Sequence, residues 1–242
     1  MSLRNSSPLD SRPRRDRKPI LCYVTDRRGL QAATQNDSLE LLLERIELVA
    51  AAGVDWIQLR EKDLSGRDCA ALASEALRRV SRQASHVHGA TCVLVNDRLD
   101  VALAEQAGGI HLGEKALPVQ EAKRLLLASP VAKTLPRGFL VGVSCHSFQA
   151  AQSAANAGAD YIFFGPVFAT PSKAGYGAPQ GLKRLTELCN SVSIPVLAIG
   201  GITLENAPAC FSAGASGIAA IRLFQDSPDP ASIVLALRRQ AL

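Results

Sequence analysis

The sequence contains no apolar run of the ~18 residues or more that a membrane-spanning helix needs, so we expect no transmembrane segment. Its N-terminal stretch lacks the apolar core of a secretory signal. Its six cysteines form no Cys-x-x-Cys pair, which argues against zinc ligation and a disulfide framework. We therefore expect a cytoplasmic protein whose thiols are reduced and mostly buried.

Positive charge is concentrated at one end of the chain. The formal net charge of the 242 residues is +5, and residues 1–18 carry six basic and only two acidic side chains. A Ser-, Pro- and Arg-rich segment of this kind is typical of a solvated tail. Residues 19–242 show no basic stripe interleaved with aromatic side chains. We predict a disordered tail at 1–18, one folded domain at 19–242 and no nucleic-acid partner.

Four segments of the sequence resemble one another. Each joins an alanine-rich helix end, through a glycine, to a short apolar run; they lie at 50–59, 105–113, 156–165 and 212–221. Glycine readily adopts the left-handed backbone that ends many helices. The apolar run suits a strand that is buried on both faces. We therefore expect helix caps, each followed by a parallel strand, at Gly53, Gly108, Gly158 and Gly214.

The spacing of these repeats predicts the fold. The glycines are 55, 50 and 56 residues apart, and one β–α unit takes about 25–30 residues. Four more apolar runs fill the intervals, at 19–25, 92–96, 139–144 and 195–201. Eight alternating units predict a single α/β domain, a closed (β/α)8 or TIM barrel. An open doubly wound sheet would carry a Gly-x-Gly-x-x-Gly turn after its first strand, where this chain has Thr25 and Asp26.

Polar side chains follow the expected strands at the end where barrel enzymes carry their sites. After strand two, Gln58, Arg60 and Lys62 alternate with other residues and should point to one side, the lumen. Inward cations are costly unless they meet an anion such as pyrophosphate or a carboxylate such as Glu61. Lys173, in the loop after strand six, favours the anion. Several cations at one mouth thus predict a pyrophosphate site.

Further candidates follow the other strands. Asp97 suits a Mg2+ ion beside a pyrophosphate, and the alternative role, capping the next helix, fits Asp100 better. The pairs Gly200–Gly201 and Ile221–Arg222 follow strands seven and eight, where barrels often bind phosphate through backbone N–H groups.

Two histidines receive different expectations. His111 lies within an apolar strand and is expected to be structural. His146 follows Ser144 just past strand five, where it could transfer a proton.

Together these motifs resemble the family of thiamine phosphate synthase and thiazole tautomerase. The resemblance runs from about Leu21 to Phe224 and rests on the order and spacing of its stretches. They are YVTD at 23–26, QLREK at 58–62, NDRLDVAL at 96–103, GIHLG at 109–113, GVSCHS at 142–147, GADYIFFGPVFATPSK at 158–173, QGLKRL at 180–185 and PVLAIGGITLEN at 195–206.

The resemblance implies a Mg2+-dependent transferase that joins hydroxymethylpyrimidine pyrophosphate to thiazole phosphate. Pyrophosphate leaves first, and the thiazole nitrogen captures the pyrimidine-methyl cation. The residues implied for pyrophosphate are Gln58, Arg60, Lys62, Asn96 and Lys173. Those implied for the other groups are Asp97 for Mg2+, Ser144 for the pyrimidine, and Thr170, Ser172, Gly201 and the Ile221–Arg222 backbone for the thiazole phosphate. The candidate catalytic residues are Arg60, Lys62, Lys173, Ser144 and His146.

Ala116 departs from the family's pattern. Synthases usually read HLGQ, one further residue and then an aspartate that is a second Mg2+ ligand, whereas this chain reads HLGEKALP. Glu114 could substitute but is two positions off. The stretch looks more like the tautomerase branch, which needs no metal and uses a histidine matched by His146. We favour the synthase because Asn96–Asp97 and the cations are intact. A tautomerase and a non-catalytic binder of thiamine intermediates remain alternatives, and a homo-oligomer is possible on this sequence.

Overall fold

Eight parallel strands pair in chain order and close into a barrel. The computed structural model describes residues 18–83, 90–136, 138–170 and 178–241. Its strands are β1 (Ile20–Val24), β2 (Trp56–Leu59), β3 (Cys92–Asn96), β4 (Gly109–Leu112), β5 (Leu140–Cys145), β6 (Tyr161–Phe164), β7 (Val196–Ile199) and β8 (Gly217–Ala220). The single (β/α)8 barrel that the repeats predict is confirmed.

Helices alternate with the strands along the chain. They are α1 (Gln35–Ala51), α2 (Gly66–Arg82), α3 (Leu99–Ala104), α4 (Val119–Ala128), α5 (Phe148–Asn156), α6 (Gly181–Ser191), α7 (Ala207–Ser212), α8 (Arg222–Gln225) and α9 (Pro230–Gln240). In the described ranges none of them is both long and apolar enough to cross a membrane. The expected tail lies outside these ranges except for Lys18, so the division into tail and barrel stays a prediction.

One helix end differs from the glycine pattern of the repeats. Three of the expected caps have left-handed φ angles of 89°, 88° and 91°, at Gly53, Gly158 and Gly214. In the remaining repeat, the left-handed residue is Gln106, with φ of 53°. Gly108 serves a different need, since a Cβ there would lie 2.3 Å from Cys92 Sγ. The expected cap at Gly108 is therefore wrong, because in this repeat the residue that caps the helix is Gln106, two positions before the glycine.

The lumen is packed with side chains below the mouth of the barrel. Alternation along each strand sends every second residue inward, and the inner cluster contains Cys22, Val24, Trp56, Leu94, Leu140, Tyr161, Phe163, Leu197 and Ala219. The same alternation places Gln58 two residues above Trp56, and Asn96 two residues above Leu94. Polar side chains therefore lie above an apolar floor at the carboxyl ends of the strands.

The six cysteines are free thiols, and five of them are buried. Burial raises the pKa of Cys92, Cys145 and Cys210 to about 12. These three thiols are therefore protonated at neutral pH, which argues against Cys145 as a nucleophile.

Candidate active site

Two cavities open at the carboxyl end of the barrel. The larger one, about 380 Å³, lies at the ends of β7 and β8 and beside the segment after β6. The smaller one, about 210 Å³, lies beside the segment after β2. Asp26, just past β1, lines both cavities. The two spaces are therefore neighbours at one mouth; we call them the glycine cavity and the cation cavity.

The glycine cavity brings together five of the residues expected for phosphate binding. It is lined by Thr170, Gly200, Gly201, Ile221 and Arg222, among others. Gly200 and Gly201 have φ angles of 95° and 66°, and a Cβ on Gly201 would lie 2.7 Å from the Ala169 carbonyl oxygen. Only glycine fits this close approach. The short helix α8 begins at Arg222, the arrangement that recurs in barrel phosphate sites.

A buried glutamine fastens α8 to the first strand. Gln225 is 2% exposed; its Oε1 accepts from Tyr23 Oη at 2.9 Å and from the Asp26 N–H at 3.2 Å. Its Nε2 donates to the Asp26 carbonyl oxygen at 2.9 Å. Gln225 therefore fixes the backbone of the residue that the two cavities share. Sequence reasoning missed this role, since a glutamine in a short helix carries no signal for it.

The cation cavity is lined by Arg60 and Lys62, whereas Gln58, expected on the same side, lines neither cavity. Its other lining residues are Asp26, Arg28, Glu61 and Asp63. The expected alternative was a salt bridge between these cations and Glu61. Within the described part of the chain, neither Arg60 nor Lys62 makes such an ion pair, because the acids are paired elsewhere.

Arg27 binds the carboxylates of Glu61 and Asp63, so these carboxylates do not pair with Arg60 and Lys62. Its guanidinium donates to Asp63 Oδ1 at 2.6 Å and Oδ2 at 2.5 Å, and to Glu61 Oε2 at 3.2 Å. Arg27 and Glu61 are 5% and 3% exposed. The Arg27 guanidinium holds the pKa of Asp63 well below its usual range. Sequence reasoning missed Arg27, whose signal was only an arginine shortly after the first strand.

A row of hydrogen bonds places Asp97 at the end of β3. Gln58 Nε2 donates to Asn96 Oδ1 at 2.8 Å, and Asn96 Nδ2 donates to Asp97 Oδ2 at 2.8 Å. The Gly113 N–H donates to Asp97 Oδ1 at 2.6 Å. Asp97 itself has a left-handed φ of 58°. The row lines neither cavity, but it brings together three residues expected at the site.

Asp100 does not cap α3, contrary to the expectation. The N-cap residue is Arg98, with no side-chain capping bond. The Asp100 carboxylate instead binds the Arg98 guanidinium at 2.9 and 2.6 Å. The arginine competes successfully for that carboxylate because its two N–H groups match the two oxygens.

Asp97 and position 116 both lie close to Gly113. A Cβ on Gly113 would lie 3.5 and 3.6 Å from the Asp97 carboxylate oxygens and 3.9 Å from Ala116 Cβ. Glu114 does not fill this place; its Oε2 lies 4.0 Å from His146 Nε2. In the described ranges no three His, Cys, Asp or Glu side chains gather as a possible metal site. Asp97 is exposed.

His146 and Ser144 both follow the inner side of β5 and have defined partners. His146 Nδ1 lies 2.5 Å from the Gly165 carbonyl oxygen; since a carbonyl only accepts, Nδ1 carries the proton. Ser144 Oγ lies 2.8 Å from His111 Nε2. His111 is 1% exposed, in keeping with its expected structural role. Ser172 and Lys173 lie outside the described residues.

Known proteins resemble the chain in sequence and structure. A sequence model described as thiamine monophosphate synthase matches residues 30–224. The thiamine-phosphate synthase of Methanoculleus marisnigri is 44% identical over 191 residues, 79% of this chain and 83% of that protein. That of a Roseiflexus species is 37% identical over 218 residues, 90% of this chain and 83% of that protein. Thiamine phosphate pyrophosphorylase from Pyrococcus furiosus superposes with a TM-score of 0.73 at 29% identity, covering 93% and 96% of the two chains.

Proposed function

The chain belongs to the thiamine monophosphate synthase family, and we propose that it condenses hydroxymethylpyrimidine pyrophosphate with thiazole phosphate, releasing pyrophosphate. Such an enzyme is a thiamine phosphate synthase, a transferase of the diphosphorylase type. One observation carries the proposal: the cavity lined by Arg60 and Lys62, which make no ion pair with another described residue, shares Asp26 with the cavity built on a glycine backbone. A reaction between two phosphorylated substrates needs two such anion sites at one mouth.

Arg60 and Lys62 bind the pyrophosphate in this proposal. Negative charge develops on the departing oxygen as its bond to the pyrimidine methylene carbon breaks, and fixed cations stabilise that charge. Because Arg27 occupies Glu61 and Asp63, binding the substrate breaks no ion pair between Arg60 or Lys62 and another residue in the described ranges. By resemblance, Gln58, Asn96 and Lys173 complete this subsite.

The thiazole phosphate binds in the glycine cavity. Gly200 and Gly201 let the backbone approach the phosphate closely, and the N–H groups at Ile221–Arg222 offer donors at the start of α8. Thr170 lines the same space, and Ser172 joins it by resemblance. Ser144 contacts the pyrimidine above the apolar floor of the lumen. This floor helps to keep water away from the pyrimidine-methyl cation that forms when pyrophosphate leaves.

Asp97 fits a Mg2+ ion that is held mainly by the substrate. Mg2+ in phosphate sites typically binds one or two carboxylates plus phosphate oxygens. Each Asp97 oxygen accepts one hydrogen bond and keeps a lone pair for a metal. When bound, Mg2+ would neutralise charge on the leaving pyrophosphate. With alanine at position 116, Asp97 acts without the aspartate that synthases usually carry there, which places more of the charge stabilisation on Arg60 and Lys62.

The thiols fit a reducing, cytoplasmic setting, and small-molecule substrates are the partners that this function requires.

A coupling assay with both substrates and Mg2+ tests the proposal, with thiamine phosphate read by fluorescence after oxidation. We expect product that disappears when a chelator is added. Arg60→Ala and Lys173→Ala should each lose turnover by about 100-fold or more, since each removes a fixed charge from the leaving group. Arg28→Ala is a matched control from the same cavity, because Arg28 is 71% exposed and pairs with Asp63. Near-normal turnover of Arg60→Ala would contradict the assignment.

Tautomerisation of a thiazole carboxylate phosphate is the second candidate, favoured by one contact. Glu114 approaches His146 Nε2 to 4.0 Å, and a carboxylate near an imidazole assists proton transfer. An enzyme of this kind would convert that substrate without metal and lose the activity in His146→Asn. A protein that binds pyrophosphate in calorimetry but performs neither reaction would be the non-catalytic binder.

A further inference from the structure

Three polar side chains from neighbouring strands form a hydrogen-bonded chain inside the lumen. His111 on β4 lies between Tyr161 on β6 and Ser144 on β5. Its Nδ1 is 3.0 Å from Tyr161 Oη, and its Nε2 is 2.8 Å from Ser144 Oγ. Tyr161 is 0% exposed and His111 1%, while Ser144 is half-buried. The chain thus connects the packed lumen to the mouth of the barrel.

The buried tyrosine determines where the protons of this chain lie. Burial raises the pKa of Tyr161 well above its usual range, so the hydroxyl keeps its proton. Among the described residues, the partner of that hydroxyl is His111 Nδ1. A buried donor without an acceptor costs more than an unused lone pair. The Tyr161 O–H therefore donates to Nδ1, and the His111 proton sits on Nε2.

The opposite arrangement is less favourable. If Nδ1–H donated to Tyr161, the phenol proton would have to find another acceptor in a floor of apolar side chains and the thiols of Cys22 and Cys92. None of these side chains offers a strong acceptor. The preferred tautomer of His111 thus follows from the apolar packing around Tyr161.

We propose that Tyr161 and His111 are positioning residues that make Ser144 a hydrogen-bond donor toward the ligand. The Nε2–H group occupies a lone pair of Ser144 Oγ, so the serine's own proton is directed elsewhere, toward the mouth. A donor at this place recognises an acceptor such as a pyrimidine ring nitrogen. It does not suit an exocyclic amino group, which presents hydrogens. The identity of this ligand rests on the proposed function; the proton arrangement does not.

Nuclear magnetic resonance of the full chain labelled with 15N-histidine tests the proton arrangement directly. Long-range proton–nitrogen correlations distinguish a nitrogen that carries a proton from one that does not. We expect His111 to show a bare Nδ1 and a protonated Nε2. His146 is an internal control, because its Nδ1 must carry a proton to reach the Gly165 carbonyl. A protonated Nδ1 on His111 would overturn the proposal, whether or not the protein turns over substrate.

Tyr161→Phe tests the consequence for the ligand. Losing the donor should raise the KM for the pyrimidine substrate by about tenfold, the effect of one buried hydrogen bond. The KM for thiazole phosphate should not change, which separates positioning from general damage.

A pyrimidine analogue with a ring nitrogen replaced by CH provides the second arm. On the wild-type protein, this analogue should bind about tenfold more weakly than the parent compound. On Ser144→Ala, the analogue and the parent compound should bind equally well. The proposal fails if Tyr161→Phe raises both KM values alike, or if no ring nitrogen matters to the wild-type protein.

Discussion

Replacing Arg27 by methionine should destabilise the protein and should also weaken pyrophosphate binding in the cation cavity. Methionine keeps much of the volume but removes the donors to Asp63 and Glu61. Glu61 is 3% exposed, so its carboxylate would remain buried without a cation. Breaking a buried ion pair costs about 3–5 kcal/mol. Glu61 keeps the Thr25 hydroxyl at 2.6 Å as a donor, and Asp63 is 32% exposed, so we expect about 3 kcal/mol, the lower end.

Urea denaturation measures this loss, and Arg28→Met is the matched control. Arg28 contacts the same Asp63 at 3.0 Å but is 71% exposed, so its loss should cost less than about 1 kcal/mol. Adding Glu61→Gln to Arg27→Met should restore part of the stability, because no buried charge is then left unpaired. Equal losses in Arg27→Met and Arg28→Met would refute the reasoning.

The pH dependence of the Arg27 variant has a defined sign. The pKa of Asp63 is depressed by Arg27 from its ordinary 3.8, so the stabilisation is present above about pH 4 and is lost as the pH falls toward the folded value. The gap in unfolding free energy between wild type and Arg27→Met should therefore narrow below pH 4. In the coupling assay of Arg27→Met, the carboxylates of Glu61 and Asp63 should pair with Arg60 and Lys62. The KM for the pyrimidine pyrophosphate should therefore rise, whereas the KM for thiazole phosphate should not change.

Two further substitutions test the metal and phosphate assignments. Ala116→Asp should tighten Mn2+ binding in the presence of pyrophosphate by about tenfold in calorimetry, since it adds a carboxylate next to Asp97; Ala116→Asn is the uncharged control, and an unchanged titration would count against the geometry. Gly201→Ala should lower stability by about 1–3 kcal/mol and raise the KM for thiazole phosphate, because it combines a φ of 66° with a contact to a carbonyl oxygen. Gly181→Ala is the comparison, as Gly181 has φ of 74° but no atom within 4 Å of its Cβ position; a smaller loss at Gly201 than at Gly181 would refute the close-approach argument.

The repeats and the periodicity of the strands determined the architecture and much of the site. Alanine-rich helix ends and apolar runs recur along the chain, and a parallel barrel is the fold that buries eight such strands. A two-residue period was enough to place Gln58 above Trp56 of the inner cluster, and Arg60 and Lys62 line a cavity just past the same strand. Local sequence also indicated the close backbone approach after β7, because glycine is the residue type that permits such an approach.

Tertiary structure decided which side chains meet across distant segments. Tyr161 and His111 are 50 residues apart and touch only because the strands pair in one register. Arg27 reaches Asp63 across 36 residues, which frees Arg60 and Lys62 in a way that sequence spacing does not reveal. Glu114 Oε2 lies 4.0 Å from His146 Nε2, and Gln106 replaces a glycine at a helix end. Each of these outcomes depends on closure and packing of the barrel, whereas local sequence patterns report only the conformation and the exposed side of single elements.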